Sequence, residues 1–367
     1  MAIKFYSDQY FYSRNKKKIL DISHQIFKSD LFTNGKNVKK LENLLKKKLK
    51  TKYCIATSSG TSALHLALKS LDIKHKDEVI TSSNSFIATP MSITYCGAKP
   101  KFIDSSIENW NINIDLIEKN ISKQTKAIMP VHLHGHMCDM KVINQIAKKY
   151  KLKIVEDASQ AYGARNQNYQ ISSLSDLATL SFYPTKNLGT FGEGGAVLTN
   201  NKKLYEKIIR MRNWDKEKYQ LESYNYRMTE LSAAIIVEKI KYSDELLYLR
   251  DKAKEYYLSK LDLESNQFQK TRDDFKHSNH IFGILVNQRD LLLKNTRVEF
   301  LSHYNYSLPY LKIFKSPHLK NFKISKHLSE NLLSLPIYPG IKKRELDVII
   351  DIVNKHNKLY KYIFNND

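Results

Sequence analysis

Between residues 50 and 160 the chain alternates short β-branched runs with longer stretches whose apolar residues recur at helical spacing. "YCIAT" precedes "TSALHLALKSL", "DEVIT" precedes "FIATPMSITYC", "KFID" stands alone, "AIMPVHL" precedes "MKVINQIAKKY", and "KIVEDA" closes the series. Strands alternating with helices build βα units, and such apolar strands belong to a mostly parallel sheet covered on both faces. "LATLSFY" and "GAVLTN" then follow without a long helix between them, so this pair either runs antiparallel or sits apart in the sheet. From about residue 200 the period turns helical, in "KLYEKIIRMRNW" and "ELSAAIIVEKIKYSDELLYLRDKAKEYYLSKL". The last third offers "HIFGILV" as a strand, "TRVEFL" as a further strand candidate, and a closing helix over about 343 to 355. The expected architecture is α/β: a large domain over residues 1–245, including the N-terminal segment, and a smaller α+β domain over 246–367.

Composition narrows the class. Hydrophobic residues at 42%, charged residues at 26%, and only 11 Gly and 8 Pro exclude fibrous and low-complexity architectures. Apolar runs such as "HIFGILV" are far too short for a bilayer, and "MAIKFYSDQYFYSR" lacks the hydrophobic block of a signal peptide, so the expected location is the cytoplasm, without membrane partners. Cys54, Cys96 and Cys138 form no CxxC, which fits a reducing compartment. The net charge of +23 raises the question of nucleic acid. The lysines, however, are scattered in helical patches such as "KKLENLLKKKLK" with no nucleic-acid motif beside them, and the expectation is a basic surface that favours a small anionic substrate. The 23 tyrosines are spread throughout and belong mostly to packing.

In open α/β sheets, ligands collect beyond the carboxyl ends of the strands. Three features should sit there. In "TSSGTSALHLAL" a strand ends at Thr57, and Ser59, Gly60 and Thr61 open a helix, either as an anion site on free N–H groups or as ordinary capping. In "KIVEDASQAYGA", Glu156 and Asp157 arrive at the end of a buried strand; alternation lets only one of them face the ligand side, and a structural ion pair or helix cap is the other use for a carboxylate there. In "SFYPTKNLGTFGEGGAVLTN", Lys186 precedes the glycines, whereas a phosphate loop needs them before its lysine, and "GEGGAV" lacks both the third glycine and the strand-turn-helix context of a dinucleotide motif. An exposed turn lysine is the plain alternative. Taken together, a phosphate cradle, a carboxylate and a lysine on one rim suit pyridoxal phosphate, which needs a helix N-terminus, an acidic partner for its ring nitrogen and an amine for its aldehyde. "VHLHGHMCDM" spaces His132, His134, His136 and Cys138 by two, as metal ligands could be spaced, but no carboxylate or second cluster accompanies them and no metal is expected.

The stretches "LFTNGKNVKKLENLL", "SSGTSALHLAL", "DEVITSSNSFIAT", "TKAIMPVHLHGHMCDM", "VEDASQAYGA", "SFYPTKNLGTFGEGGAVLTN", "YNYRMTELSAA" and "LLSLPIYPGI" occur in an order that resembles the DegT/DnrJ/EryC1/StrS sugar aminotransferases over nearly the whole chain. The resemblance implies the type I fold of pyridoxal-phosphate-dependent transferases, with helices on both faces of a mostly parallel sheet. It implies that Lys186 is the Schiff-base lysine and the catalytic acid/base, and that Asp157 pairs with the protonated pyridine nitrogen. Gln160 would lie at the ring hydroxyl and Phe86 would stack on the cofactor. Ser59, Gly60, Thr61 and Ser181 would hold the phosphate, and Asn225 would reach it from the neighbouring subunit of a homodimer with shared active sites. His303, Tyr304 and Arg227 are its substrate-binding candidates. The implied reaction moves an amino group from glutamate through pyridoxamine phosphate to a nucleotide-linked keto-deoxysugar, for a bacterial surface glycan such as the O-antigen of lipopolysaccharide. Relatives with histidine at the lysine position are sugar dehydratases, so Lys186 argues for transamination; a dehydratase or a non-catalytic cofactor-binding regulator of the same fold is the alternative. Two departures stand out: Ser223 replaces a common glycine two residues before Asn225, and "TRVEFLSHYNYSLPY" keeps His303 and Tyr304 without the usual proline-rich continuation.

Overall fold

The computed structural model describes residues 2–216 and 218–362. Helices α1 (Gln9–Ser29) and α2 (Lys36–Lys48) lead into β1 (Tyr53–Thr57), α3 (Gly60–Ser70), β2 (Glu78–Ser82), α4 (Ala88–Tyr95), β3 (Lys99–Ile103), β4 (Thr125–Met129), α5 (Met140–Tyr150) and β5 (Lys153–Asp157). The two-residue β6 (Arg165–Asn166), β7 (Leu177–Ser181), β8 (Gly195–Thr199), α6 (Lys202–Arg212), α7 (Glu230–Ile240) and α8 (Ser243–Lys260) follow. The chain closes with β9 (Phe275–Lys276), β10 (Phe282–Leu285), α9 (Arg289–Leu293), α10 (Lys323–Asn331), β11 (Leu332–Leu335) and α11 (Lys343–Leu359).

The central sheet has seven strands in the order β1-β8-β7-β5-β4-β2-β3. β3, β2, β4, β5 and β7 pair in parallel, while β8 runs antiparallel to both β7 and β1. The two strands left without a helix between them are therefore antiparallel neighbours. Because β8 alone is reversed, β1, β5 and β7 all end at the same edge, where β8 begins. Gly195 faces Thr57 on one side and Ser181 on the other.

Alternation along β5 sets the chemistry. Ile154 packs with Leu41, Leu45 and Ile128 on one face, and Val155 packs with Leu64, Leu66 and Leu177 on the face covered by α3. Each fully buried Leu or Ile of these layers stabilises the fold by about 1.5–3 kcal/mol. With a period of two, Glu156 turns to the α2 face and Asp157 to the α3 face. The same parity sends Ile55 and Thr57 of β1, and Leu177, Thr179 and Ser181 of β7, toward α3.

A separate core joins Tyr257, Phe282, Ile284, Leu333, Leu335, Ile349 and Val353, around the antiparallel pair β10–β11 and helices α8 and α11. Ile3 packs against this core, and its backbone bridges Val298. The expected strand in "TRVEFL" does not form: Val298 and Leu301 make single bridges, to Ile3 and to Ser334, and the Glu299 carboxylate accepts from the Phe5 N–H. Three partners taken in turn by neighbouring residues leave no continuous ladder. The long helical stretch after residue 230 also divides, at Lys241 and Tyr242, into α7 and α8. Ser223 has no left-handed backbone, so the departure from the glycine that the resemblance led one to expect brings no strain.

Candidate active site

A cavity of about 520 Å³ opens beyond the carboxyl ends of β1, β5 and β7, and Ser59, Gly60, Thr61, Asp157, Ser181 and Lys186 all line it. The three sequence features expected to converge do so.

Ser59 caps α3 through a reciprocal pair: its hydroxyl accepts from the Ser62 N–H at 3.1 Å, and its own N–H donates to the Ser62 hydroxyl at 2.9 Å. Capping and anion binding are compatible here, because the cap uses the Ser62 N–H and leaves those of Gly60 and Thr61, which have no partner one turn back, at the positive end of the helix. The approach of β7 and β8 to this helix end is close. A Cβ on Gly60 would meet the Ser181 Cβ at 2.8 Å, and one on Gly195 would meet the Ser59 carbonyl oxygen at 2.3 Å. Glycine at both positions lets helix and strands touch through backbone.

The two carboxylates of β5 have separate fates. Glu156 accepts from His132 Nε2 at 2.8 Å, from the Ser172 N–H at 2.9 Å and from the Ser175 hydroxyl. The Cys138 N–H donates to His132 Nδ1 at 3.2 Å, so the ring proton sits on Nε2 and points at the carboxylate. Glu156 is fully satisfied inside the protein. Asp157, only 4% exposed, accepts at Oδ2 from Thr89 Oγ1 at 2.7 Å and at Oδ1 from the Ser159 N–H at 3.1 Å. Thr89 has one hydroxyl proton and gives it to Asp157; its other contact, Ser85 Oγ at 2.7 Å, must then donate to it. Asp157 thus keeps acceptor capacity and lines the cavity, with no ion pair to a cation among the described residues.

Lys186 follows a turn in which its N–H donates to the Tyr183 carbonyl and its own carbonyl accepts from the Gly189 N–H. Lys186 is half-buried and lines the cavity. Desolvation lowers the amine to about 8, and the Asp157 charge partly opposes that shift. Lys186 and Asp157 feel each other without forming an ion pair, so the space between them is available to a ligand.

Gln160 is held by two bonds: Oε1 accepts from the His134 N–H at 2.7 Å, and Nε2 donates to the Tyr304 hydroxyl at 2.8 Å. Phe86, half exposed at 51%, lies 5.9 Å from the Tyr304 ring, and both border the cavity. His303 also borders it, with Nδ1 2.9 Å from the Ser334 hydroxyl and its ring stacked on Phe5. Burial lowers His303 to about 3, so it is neutral at working pH. Asn225 and Arg227 are not brought in: Asn225 is exposed and bridges Asn213, and Arg227 donates to the Asn213 side chain at 2.9 Å. The histidine-cysteine segment is consumed locally: His132 by Glu156, His134 by the His303 carbonyl at 2.9 Å, and His136 by Asn111 at 3.1 Å. No group of three potential metal ligands forms among the described residues. Thr89, Tyr6, Arg250, His280 and Tyr338 also line the cavity, and the sequence reading passed over them. Only Thr89, one helical turn beyond Ser85 in "NSFIAT", carried a local signal.

The residues present fit pyridoxal phosphate. Gly60 leaves the end of α3 open to an anion, Asp157 offers an uncompensated carboxylate, and Lys186 offers an amine that desolvation keeps easy to deprotonate. The pattern of the DegT/DnrJ/EryC1/StrS aminotransferase family matches residues 13–354. The dTDP-3-amino-3,6-dideoxy-alpha-D-galactopyranose transaminase of Aneurinibacillus thermoaerophilus is 35% identical over 94% of this chain and 96% of its own length. DesV of S. venezuelae, solved in complex with a ketimine intermediate, is 28% identical and superposes with a TM-score of 0.92 over 99% of this chain and all of its own. NtdA of Bacillus subtilis, solved with bound cofactor PMP, is 29% identical with a TM-score of 0.85 over 96% of this chain and 83% of its own. Sheet order, cavity and comparisons agree: the chain belongs to the DegT/DnrJ/EryC1/StrS aminotransferase family, enzymes that use pyridoxal phosphate on the type I fold.

Proposed function

We propose that this aminotransferase takes an amino group from glutamate and delivers it to a keto-deoxysugar carried on a nucleoside diphosphate. The observation that carries the reading is the desolvated Lys186 amine sharing one cavity with Asp157 while making no ion pair with it. The likeness to a dTDP-sugar transaminase over nearly the full chain supports the substrate class.

When bound, pyridoxal phosphate supplies an aldehyde that carries the amino group and a ring that accepts electrons from a breaking C–H bond. The chain supplies the rest. Lys186 Nζ would hold the cofactor's aldehyde and, as a free amine, would take a proton from the donor carbon and return one to the carbon that becomes aminated. Arginine could not serve, since it does not deprotonate. Asp157 keeps the ring nitrogen protonated, and Thr89 fixes the carboxylate for that task. The free N–H groups of Gly60 and Thr61, with Ser59 and Ser181, hold the phosphate. Gln160 and Phe86 bound the ring, and His303 and Tyr304 meet the sugar. Asn225, exposed on this chain, serves the phosphate of a second copy in a homodimer, with Arg227 beside it as a substrate contact. A division near residue 245 into a cofactor domain and a smaller domain, a cytoplasmic location and a role in surface glycan synthesis complete the reading.

The test uses ¹⁵N-glutamate with a small panel of dTDP-, UDP- and GDP-keto sugars, read by mass spectrometry. Label should enter one sugar product, and borohydride should fix the cofactor to Lys186. Absence of label from every product, with the cofactor bound, would remove the proposed reaction.

A further inference from the structure

The hydroxyl residues around the start of α4 divide by what they bond. Ser92 donates to the Thr89 carbonyl at 2.7 Å and Thr94 to the Pro90 carbonyl at 3.1 Å, the ordinary use of serine and threonine within a helix. Ser85 and Thr89, one turn apart and each 1% exposed, leave the backbone alone. Ser85 Oγ lies 2.7 Å from Thr89 Oγ1, and Thr89 Oγ1 donates to Asp157 Oδ2 at 2.7 Å. Both residues line the cavity. The turn that carries them is closed by the Thr89 N–H, which donates to the Phe86 carbonyl at 3.1 Å, so the hydroxyl pair and the Phe86 ring belong to one piece of wall.

The direction of the two bonds follows from the chemistry of their end. An ionised carboxylate only accepts, so Thr89 spends its one proton on Asp157 and Ser85 spends its own on Thr89. A hydroxyl that accepts a hydrogen bond becomes a better donor, and the chain from Ser85 to Asp157 is polarised along its length. Ser85 therefore strengthens a bond to a carboxylate that it does not touch. Oδ1 of Asp157 accepts from the Ser159 N–H at 3.1 Å, a main-chain bond that no side-chain change at Ser85 or Thr89 removes.

Hydrogen bonds accepted by a carboxylate favour the anion over the acid. A proton shared between such a carboxylate and a pyridine nitrogen rests on the nitrogen, where it lets the ring take up electrons. We propose that Ser85 and Thr89 are positioning residues whose directed hydroxyl chain, acting through Asp157, keeps the proton on the ring nitrogen of pyridoxal phosphate. This role rests on the proposed pairing of Asp157 with that nitrogen and adds what decides the place of the proton. Without the chain the proton passes from the nitrogen to Asp157, and the ion pair becomes a neutral acid beside a neutral ring.

The measurement is the NMR shift of the ring nitrogen in holoenzyme loaded with ¹⁵N-labelled pyridoxal phosphate, followed from about pH 6 to 9 in wild type, Thr89→Val, Thr89→Ser and Ser85→Ala. The wild-type nitrogen should stay protonated throughout. Thr89→Val, which keeps the shape and removes the donor, should move the signal to the unprotonated position within this range and slow turnover ~10-fold or more. Thr89→Ser restores the hydroxyl and should restore the signal. Ser85→Ala should fall between Thr89→Val and wild type, and it tests the chain even if the valine variant does not fold. A protonated nitrogen in both Thr89→Val and Ser85→Ala, at every pH, would overturn the hydroxyl chain while leaving the Asp157 pairing in place. A nitrogen already unprotonated in the wild type would overturn that pairing, and this role with it.

Discussion

At Lys186 the charge state decides whether the proposed Schiff-base amine can react. An amine near 8 is about one-tenth neutral at pH 7, where an ordinary lysine is neutral in fewer than about one molecule in a thousand. Capture of pyridoxal phosphate by the apoprotein should therefore accelerate with pH through a midpoint near 8, measured by stopped-flow absorbance. Asp157 raises the Lys186 value against the larger effect of burial, so Asp157→Asn should move that midpoint to lower pH while cutting turnover ~100-fold or more. A midpoint that does not move would mean the two groups are not coupled. The stability of the apoprotein follows with a definite sign. Folded Lys186 holds fewer protons than the unfolded chain between about 8 and 10.5, so this residue makes the fold more stable as pH rises through that window. Alternation let only one of Glu156 and Asp157 face the ligand side, and the family resemblance chose Asp157; the neighbours that distinguish them, His132, Ser172 and Ser175 on one side and Thr89 on the other, come from separate segments and could not be read locally.

The strand-helix pairs were legible because period-two and period-3.6 patterns reflect local burial, while the missing helix between β7 and β8 left open whether β8 runs antiparallel or sits apart in the sheet. The closing helix extends to Leu359, four residues past its expected end, through His356, Asn357, Lys358 and an exposed leucine that add no clear apolar period. Helix α1 escaped notice for a related reason: "QYFYSRNKKKILDISHQIFKS" buries only Phe11, Asn15, Ile19 and Ile26, too sparse a stripe to stand out. What no periodicity reveals is how closely elements approach. The start of α3 touches β7 and β8 through Gly60 and Gly195, and this contact sets where the helix N–H groups point. Gly60→Ala should force α3 away from Ser181, since the new methyl would lie 2.8 Å from the Ser181 Cβ. The expected result is ~10-fold weaker cofactor binding, by titration of the apoprotein, with a loss of about 1–3 kcal/mol of stability by chemical denaturation. Cofactor affinity equal to wild type would mean that the helix end is not the phosphate cradle.

Across the whole molecule, the first residues of the chain close the site from a distance that no motif spans. Phe5 and Tyr6 border the cavity, Ile3 joins the C-terminal core, and Asp8 reaches the buried Lys239 of α7 at 2.7 Å. Lys239 in turn donates to the Gly189 carbonyl at 3.0 Å, in the loop that follows Lys186. One ion pair thus ties the N-terminal segment, α7 and the loop after Lys186 together. Burial lowers the Lys239 amine while Asp8 holds it up. Asp8→Asn removes that support and leaves a cation that is 2% exposed without its partner, at a cost of about 3–5 kcal/mol near neutral pH. Lys239 can escape the penalty by releasing its proton. Its folded value would then lie further below that of the unfolded chain, and stability should recover as pH rises toward 10.5, steepening the pH dependence relative to wild type. Urea titrations of both proteins from about pH 6 to 10 measure this. A variant destabilised equally at every pH would show that Asp8 acts by packing, and that the loop after Lys186 is held by something other than this charge.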